Sequence, residues 1–173
     1  MNASAFRSDQ LLVQLSVNGR RHALPARFVV EVLPWLPVQP VPLAPAQIKG
    51  MLMYRGQWIP VVDLASLLDG AECPRWMASR TVIFGVGPPP QRLIGLRVEA
   101  CELLRASKRG GQPGLHLPEA PFLGEVLSDG DRLIQLLKPD DLLDSATLEV
   151  LAGVAPRAMA AAAAEPNAQP FTP

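Results

Sequence analysis

Four residues of this chain have side chains that commonly ligate metals or act as nucleophile and base: His22, Cys73, Cys101 and His116. In that order they match no zinc pattern, which needs ligands grouped at short spacings. A Cys-His nucleophile stays formally open, with Cys101 or His116 as its reactive group. Cys73, however, lies in a linker-like stretch and Cys101 in a strand-like one, where packing or plain surface is the ordinary use. Gly110-Gly111, in "SKRGGQPG", reads as a flexible linker, and the "GVG" at Gly85 to Gly87 runs into three prolines rather than a helix, so no phosphate-cradling loop is expected. Asp63 follows the apolar "PVV" and precedes "LASLL", the place of a helix N-cap more than of a catalytic carboxylate. No catalytic residue, metal or cofactor is expected. One polar residue remains in an unusual setting: Arg55 is the only cation between Met51 and Leu64, in "MLMYRGQWIPVVDL".

The elements that must position these residues are short. Nineteen prolines and thirteen glycines divide 173 residues into segments whose apolar residues recur more often with strand than with helix periodicity. Leu11, Val13, Leu15 and Val17 share one face, and Asn18-Gly19 then supplies a hairpin turn. A second hairpin folds about Arg55-Gly56, with Trp58 facing the core; a third flanks Pro88 to Pro90 and a fourth flanks Asp129 to Asp131. Four hairpins in so short a span predict antiparallel sheets, closed as barrels or packed as sandwiches. "PARFVVEVL", with Pro25 in its first turn, reads as a short helix, as does "DLASLLDG" with Gly70 as its stop, and "KPDDLLDS" adds a further turn. Five prolines between Pro34 and Pro45 predict an extended connector. The Ala/Pro-rich tail, 154–173, is expected to be disordered.

With 49% hydrophobic residues and a mean hydropathy of +0.17, the chain can bury a sizeable core. Sixteen basic and sixteen acidic residues leave no net field to attract nucleic acid or anionic lipid. No apolar run approaches a membrane span and no secretory segment opens the chain, so a cytoplasmic protein is expected, without membrane insertion. Two isolated cysteines fit free thiols, although a single bridge stays open from sequence.

Taken in order, "LPARFVVEVL", "IKGMLMYRGQWIPVVDL", "RLIGLRVEACELL" and "FLGEVLSDGDRLIQLLKPDDLL" resemble the CheW family of chemotaxis coupling proteins, from about Gln10 to Leu143. The resemblance implies an all-β, mainly antiparallel fold of two SH3-like five-stranded β-barrels on a shared core, with short peripheral helices. It places a CheW-like domain at 9–145, barrel one at about 9–80 with a return of the chain near its C-terminus, barrel two at about 81–137, and a short closing helix at 139–143. It implies no enzymatic activity, and an adaptor that binds the cytoplasmic tip of a methyl-accepting chemoreceptor and the regulatory domain of a CheA-type histidine kinase in membrane-associated receptor arrays. Matched by motif position, the receptor-binding groove falls on Val29, Glu31, Gly50, Arg55, Val82, Cys101 and Leu104. The proline-rich connector is similar to those of couplers in alternative systems, such as the Wsp type that controls cyclic-di-GMP synthesis.

Arg55 can fold its aliphatic stem over apolar surface and direct its guanidinium across that groove, with Glu31, the lone carboxylate of "FVVEVL", as its partner. The competing reading leaves both residues solvated and apart. For Val82 the competing reading is plain core. From another class, the chain is a small β-barrel enzyme or ligand carrier using the pocket between the barrels.

Overall fold

The computed structural model describes residues 10–105, 112, 114, 117–129, 132–151 and 153. The tail from 154, the "SKRGG" stretch and His116 lie outside the described residues. Ten strands carry the fold: β1 (Leu11–Val17), β2 (Arg20–Pro25), β3 (Val29–Pro34), β4 (Ile48–Tyr54), β5 (Gln57–Asp63), β6 (Arg80–Val86), β7 (Arg92–Val98), β8 (Ala100–Arg105), β9 (Leu123–Asp129) and β10 (Arg132–Leu137). One short helix, α1 (Leu64–Asp69), follows β5, single 3-10 turns occupy Ala26–Phe28 and Pro139–Asp141, and residues 145–151 are helical. All four expected hairpins form as antiparallel pairs.

The strands make two five-stranded sheets, in the orders β8-β1-β2-β10-β9 and β3-β6-β7-β5-β4. Read from β8 forward and continuing through β1, the first order repeats the second, so the two sheets share one topology with the first circularly permuted. Each contains one parallel pair at the matching place, β2 with β10 and β5 with β7. Each also curls until the segment after one edge strand meets the other edge: Gln39, beyond β3, bridges Met51 of β4, and Gln112, beyond β8, bridges Val126 of β9. A division of the chain near residue 80 therefore does not match the sheets. Residues 29–98 hold all strands of one sheet, inserted between β1-β2 and β8-β10 of the other, because β2 and β10 complete each other's backbone hydrogen bonding across the chain.

Strand periodicity sorts the apolar residues into three clusters. Leu12, Ala23, Leu127, Ile134 and Leu136 fill the inside of the first sheet, and Leu52, Tyr54, Ile59, Val61 and Ile83 that of the second. The shared core between them takes the opposite faces, among them Val13, Leu15, Val82, Phe84 and Leu96, with Trp58 and Cys101 packed at its margin.

The segment expected as a helix at 25–33 is a strand beyond its first turn. Val29 to Pro34 alternates half-buried and exposed residues and pairs with β6. Its β-branched valines suit a pleated surface, and the long-range pairing overrides the helix-compatible spacing. The proline-rich connector carries no regular element between β3 and its bridge at Gln39. Arg97 pins it: the guanidinium donates to the Leu36 carbonyl at 2.9 Å and stacks 4.1 Å from the Trp35 ring centroid.

Asp63 caps α1, accepting from the Ser66 amide at 3.0 Å, and its carboxylate also accepts from the buried Cys73 amide at 3.0 Å. Gly70 ends the helix. Asp63→Ala would remove a cap worth about 1 kcal/mol and orphan a buried amide at about 1–3 kcal/mol. Urea denaturation should show a loss of about 2–4 kcal/mol; a loss under about 0.5 kcal/mol would mean that the second amide finds another acceptor.

His22, in β2, is 5% exposed, and neither ring nitrogen has a hydrogen-bond partner. Burial, helped by the nearby Arg20 charge, holds its pKa at about 4 against an ordinary 6.5. Between those values the unfolded chain binds a proton that the native state excludes, so this contribution is fully present above pH 6.5 and is lost as pH falls towards 4. The loss at this site should reach about 3 kcal/mol. His22→Phe should show a shallower decline in urea midpoint between pH 7 and 4.5 than the parent chain; an identical decline would place the titration elsewhere.

Candidate functional site

The β4-β5 hairpin turns through Arg55 and Gly56, both with positive φ, at 48° and 82°. The β1-β2 hairpin makes the same kind of turn with Asn18 and Gly19, at 48° and 71°. Asn tolerates this left-handed conformation better than most residues, whereas Arg adopts it at a steric cost. An arginine at this tip thus has to be explained by its side chain rather than by its backbone.

That side chain reaches Glu31. The Arg55 Nη2 lies 2.8 Å from Glu31 Oε2, and the Tyr54 hydroxyl donates to the same oxygen at 2.6 Å. The Arg55 guanidinium also lies 5.1 Å from the Tyr54 ring centroid. The Tyr54 ring is buried in the second sheet's interior, and the hydrogen bond to Glu31, with some burial, pushes its phenol above the ordinary value while Arg55 opposes the shift. Glu31 reaches this face because of a bulge. Val29 pairs with Phe84 and Glu31 with Ile83, so two steps along β3 meet one along β6. Val29 accordingly packs on the shared core and Glu31 turns to the Tyr54 side.

The other expected groove residues separate. Val82 is 0% exposed in the shared core, so it offers no surface and supports packing. Gly50 is buried at a second bulge, in β4, where a Cβ would overlap the Gln39 carbonyl oxygen; it makes room for the bridge that joins β4 to the connector. Cys101 sits opposite Leu15 and packs on the shared core, whereas Leu104 sits opposite Leu12 and packs inside the first sheet. They face opposite sides of β8, as residues three apart in a strand must. Leu103, opposite Val13, shares the face of Cys101 and is 67% exposed.

Two residues beside the expected positions escape a sequence reading, and both carried a period-2 signal. Tyr54 alternates with Leu52 in "MLMY", and Leu103 lies two residues from Cys101. Val30 and Val32 of β3 are also exposed.

Nucleophilic chemistry finds little support in these groups. Burial pushes the Cys101 thiol up, with Arg80 partly opposing, and pushes the Cys73 thiol up to about 12, so neither supplies thiolate near neutral pH. Both are free cysteines. Among the described residues no three His, Cys, Asp or Glu side chains group as a metal site, and no helix is long and apolar enough to cross a membrane.

The model of the CheW-like domain family matches residues 11–147. The chain is 29% identical over 138 residues to "Chemotaxis protein CheW" of Rhizobium meliloti (strain 1021), covering 78% of this chain and 87% of that protein. It is 28% identical over 157 residues to "Protein FrzA" of Myxococcus xanthus, covering 87% and 95%. Among solved structures, the scaffolding protein TtCheW from Thermoanaerobacter tengcongensis superposes with a TM-score of 0.70 at 21% identity, over 83% of this chain and 94% of that one.

Proposed function

This chain belongs to the CheW-like domain family, and on that premise we propose that it is a non-catalytic adaptor coupling the cytoplasmic tip of a chemoreceptor to the regulatory domain of a CheA-type histidine kinase. The observation that carries the reading is the Glu31–Arg55 ion pair, held at 2.8 Å on a turn whose backbone disfavours arginine. An exposed pair of this kind contributes only about 0–1 kcal/mol to the fold. Its value lies in presenting a fixed guanidinium and a shared carboxylate to a partner.

The receptor surface in this reading is centred on Glu31 and Arg55, braced by Tyr54. Val29, Gly50 and Val82 support it from below, and Cys101 with Leu103, rather than Leu104, supplies apolar surface from the first sheet. An amphipathic receptor helix is recognised by such a mixture of apolar contacts and a fixed charge. The free ends of the two sheets are left for the kinase's regulatory domain, so both partners bind together.

The test is a size-exclusion experiment mixing the full chain with a receptor cytoplasmic fragment and the kinase regulatory domain from one cell. Co-elution of all three is expected. Failure to bind either partner would direct attention back to a ligand carrier.

A further inference from the structure

The loop from α1 to β6 leaves two large apolar side chains in water: Trp76 is 61% exposed and Met77 98%. Single apolar residues scattered over a surface need no explanation, but two adjacent ones on a rigid turn do. Hydrogen bonds make this turn rigid. The buried Ser79 hydroxyl accepts from the Trp76 amide at 2.9 Å and donates to the Pro74 carbonyl at 2.7 Å, and the Ser79 amide donates to the Trp76 carbonyl at 3.1 Å. Arg80 Nη1 adds two more, to the carbonyls of Met77 at 2.6 Å and of Ser79 at 2.9 Å. A turn held in this way has little freedom left to lose when a partner covers it.

Charge and position say what that partner is. Arg75 and Arg80 form no ion pair among the described residues, and no Asp or Glu occurs between Glu72 and Glu99, so the turn is basic with no carboxylate in its own sequence. Arg80 pairs with Pro34 of β3 and with Val98 of β7. Val98 is fully buried in the shared core, which puts Arg80 on the shared-core face, two residues along from the pair of Val32 and Val82. From there the Arg80 charge reaches the Cys101 thiol of the other sheet, whose face Leu103 shares. Arg80 therefore joins the turn to the apolar rim formed by the exposed Val32, Cys101 and Leu103.

We infer that the Trp76–Met77 turn is a second anchor for the receptor, which continues the surface past Arg80 and seats in an apolar cleft flanked by carboxylates. The inference rests on the adaptor reading and names a specificity element within it. Trp, Met and Arg are the residue types enriched in the cores of protein interfaces, and Trp and Arg carry much of the binding energy there. Acidic groups beside the cleft would be drawn to Arg75 and Arg80, setting the register of the receptor helix along the rim. The kinase's regulatory domain is the other available partner, but the continuity through Arg80 with Val32, Cys101 and Leu103 assigns the turn to the receptor.

The test is calorimetric titration of the full chain, of Trp76→Ser/Met77→Ser and of Arg55→Glu with a receptor cytoplasmic fragment, and separately with the kinase's regulatory domain. The double variant should keep the parent's melting temperature, bind the receptor fragment about fivefold or more weakly, and bind the kinase domain unchanged. In the parent, the Met77 methyl resonance, assigned by its absence from the double variant, should shift as the receptor fragment saturates the chain. A purely structural role would not move it. Receptor affinity should also fall as sodium chloride is raised, less steeply for Arg75→Gln than for the parent; an equal slope would overturn the acidic part of the inference. A double variant that binds the receptor like the parent, while Arg55→Glu loses it, would overturn the inference and leave the adaptor reading standing. Weakened kinase binding with receptor binding unchanged would give the turn to the kinase and overturn it equally. A parent chain that binds no receptor would overturn the adaptor reading and the inference with it.

Discussion

Gly50→Ala is expected to destabilise the fold by about 2–4 kcal/mol, the largest loss for any single methyl group added to the second sheet. Two costs combine. Gly50 has φ of 143°, a conformation that L side chains rarely adopt. An added Cβ would also overlap the backbone oxygen of Gln39, which accepts the Met51 amide at 2.8 Å while the Gln39 amide donates to the Met51 carbonyl at the same distance. Neither backbone can yield without breaking that bridge, and the bridge holds the proline-rich connector against β4. Urea denaturation should report the loss, with proteolysis of the connector accelerated. A change under about 0.5 kcal/mol would mean that the connector is not held there.

Arg55→Glu is expected to weaken receptor association at least tenfold, about 1.4 kcal/mol or more, while leaving the fold nearly intact. The Arg55 side chain is 68% exposed, so the lost ion pair removes at most about 1 kcal/mol from stability. At the surface the effect is larger, because the reversed charge sets two carboxylates beside each other where one cation stood. Like charges brought together in an interface cost several times more than a rim pair contributes. The kinase's regulatory domain should bind the variant unchanged.

How far these features were legible in the sequence follows from whether their causes are local. Asn18-Gly19 and Arg55-Gly56 announce turns by residue type, and the alternation in "LLVQLSV" announces its strand, so the hairpins are readable. Asp63 is readable as a cap for the same reason. "FVVEVL" is ambiguous because its apolar spacing suits either a helix or a strand, and its pairing with Phe84 and Ile83, some fifty residues on, decides the outcome. The division into sheets is hidden likewise, since β2 joins β10 across more than a hundred residues. The Glu31–Arg55 pair was reachable as a lone cation and a lone carboxylate in apolar runs. The bulge that turns Glu31 towards it was not. In "ELL" no alternation separates Leu103 from Leu104, and only the register with Val13 and Leu12 assigns each to its face of β8.

The most direct test of the adaptor reading measures the affinity of the full chain and of Arg55→Glu for a receptor cytoplasmic fragment and for a CheA-type regulatory domain, in one buffer. The account predicts that the parent binds both and that the variant, folded to the same melting temperature within a few degrees, loses the receptor alone. A folded variant that binds the receptor as tightly as the parent would contradict it.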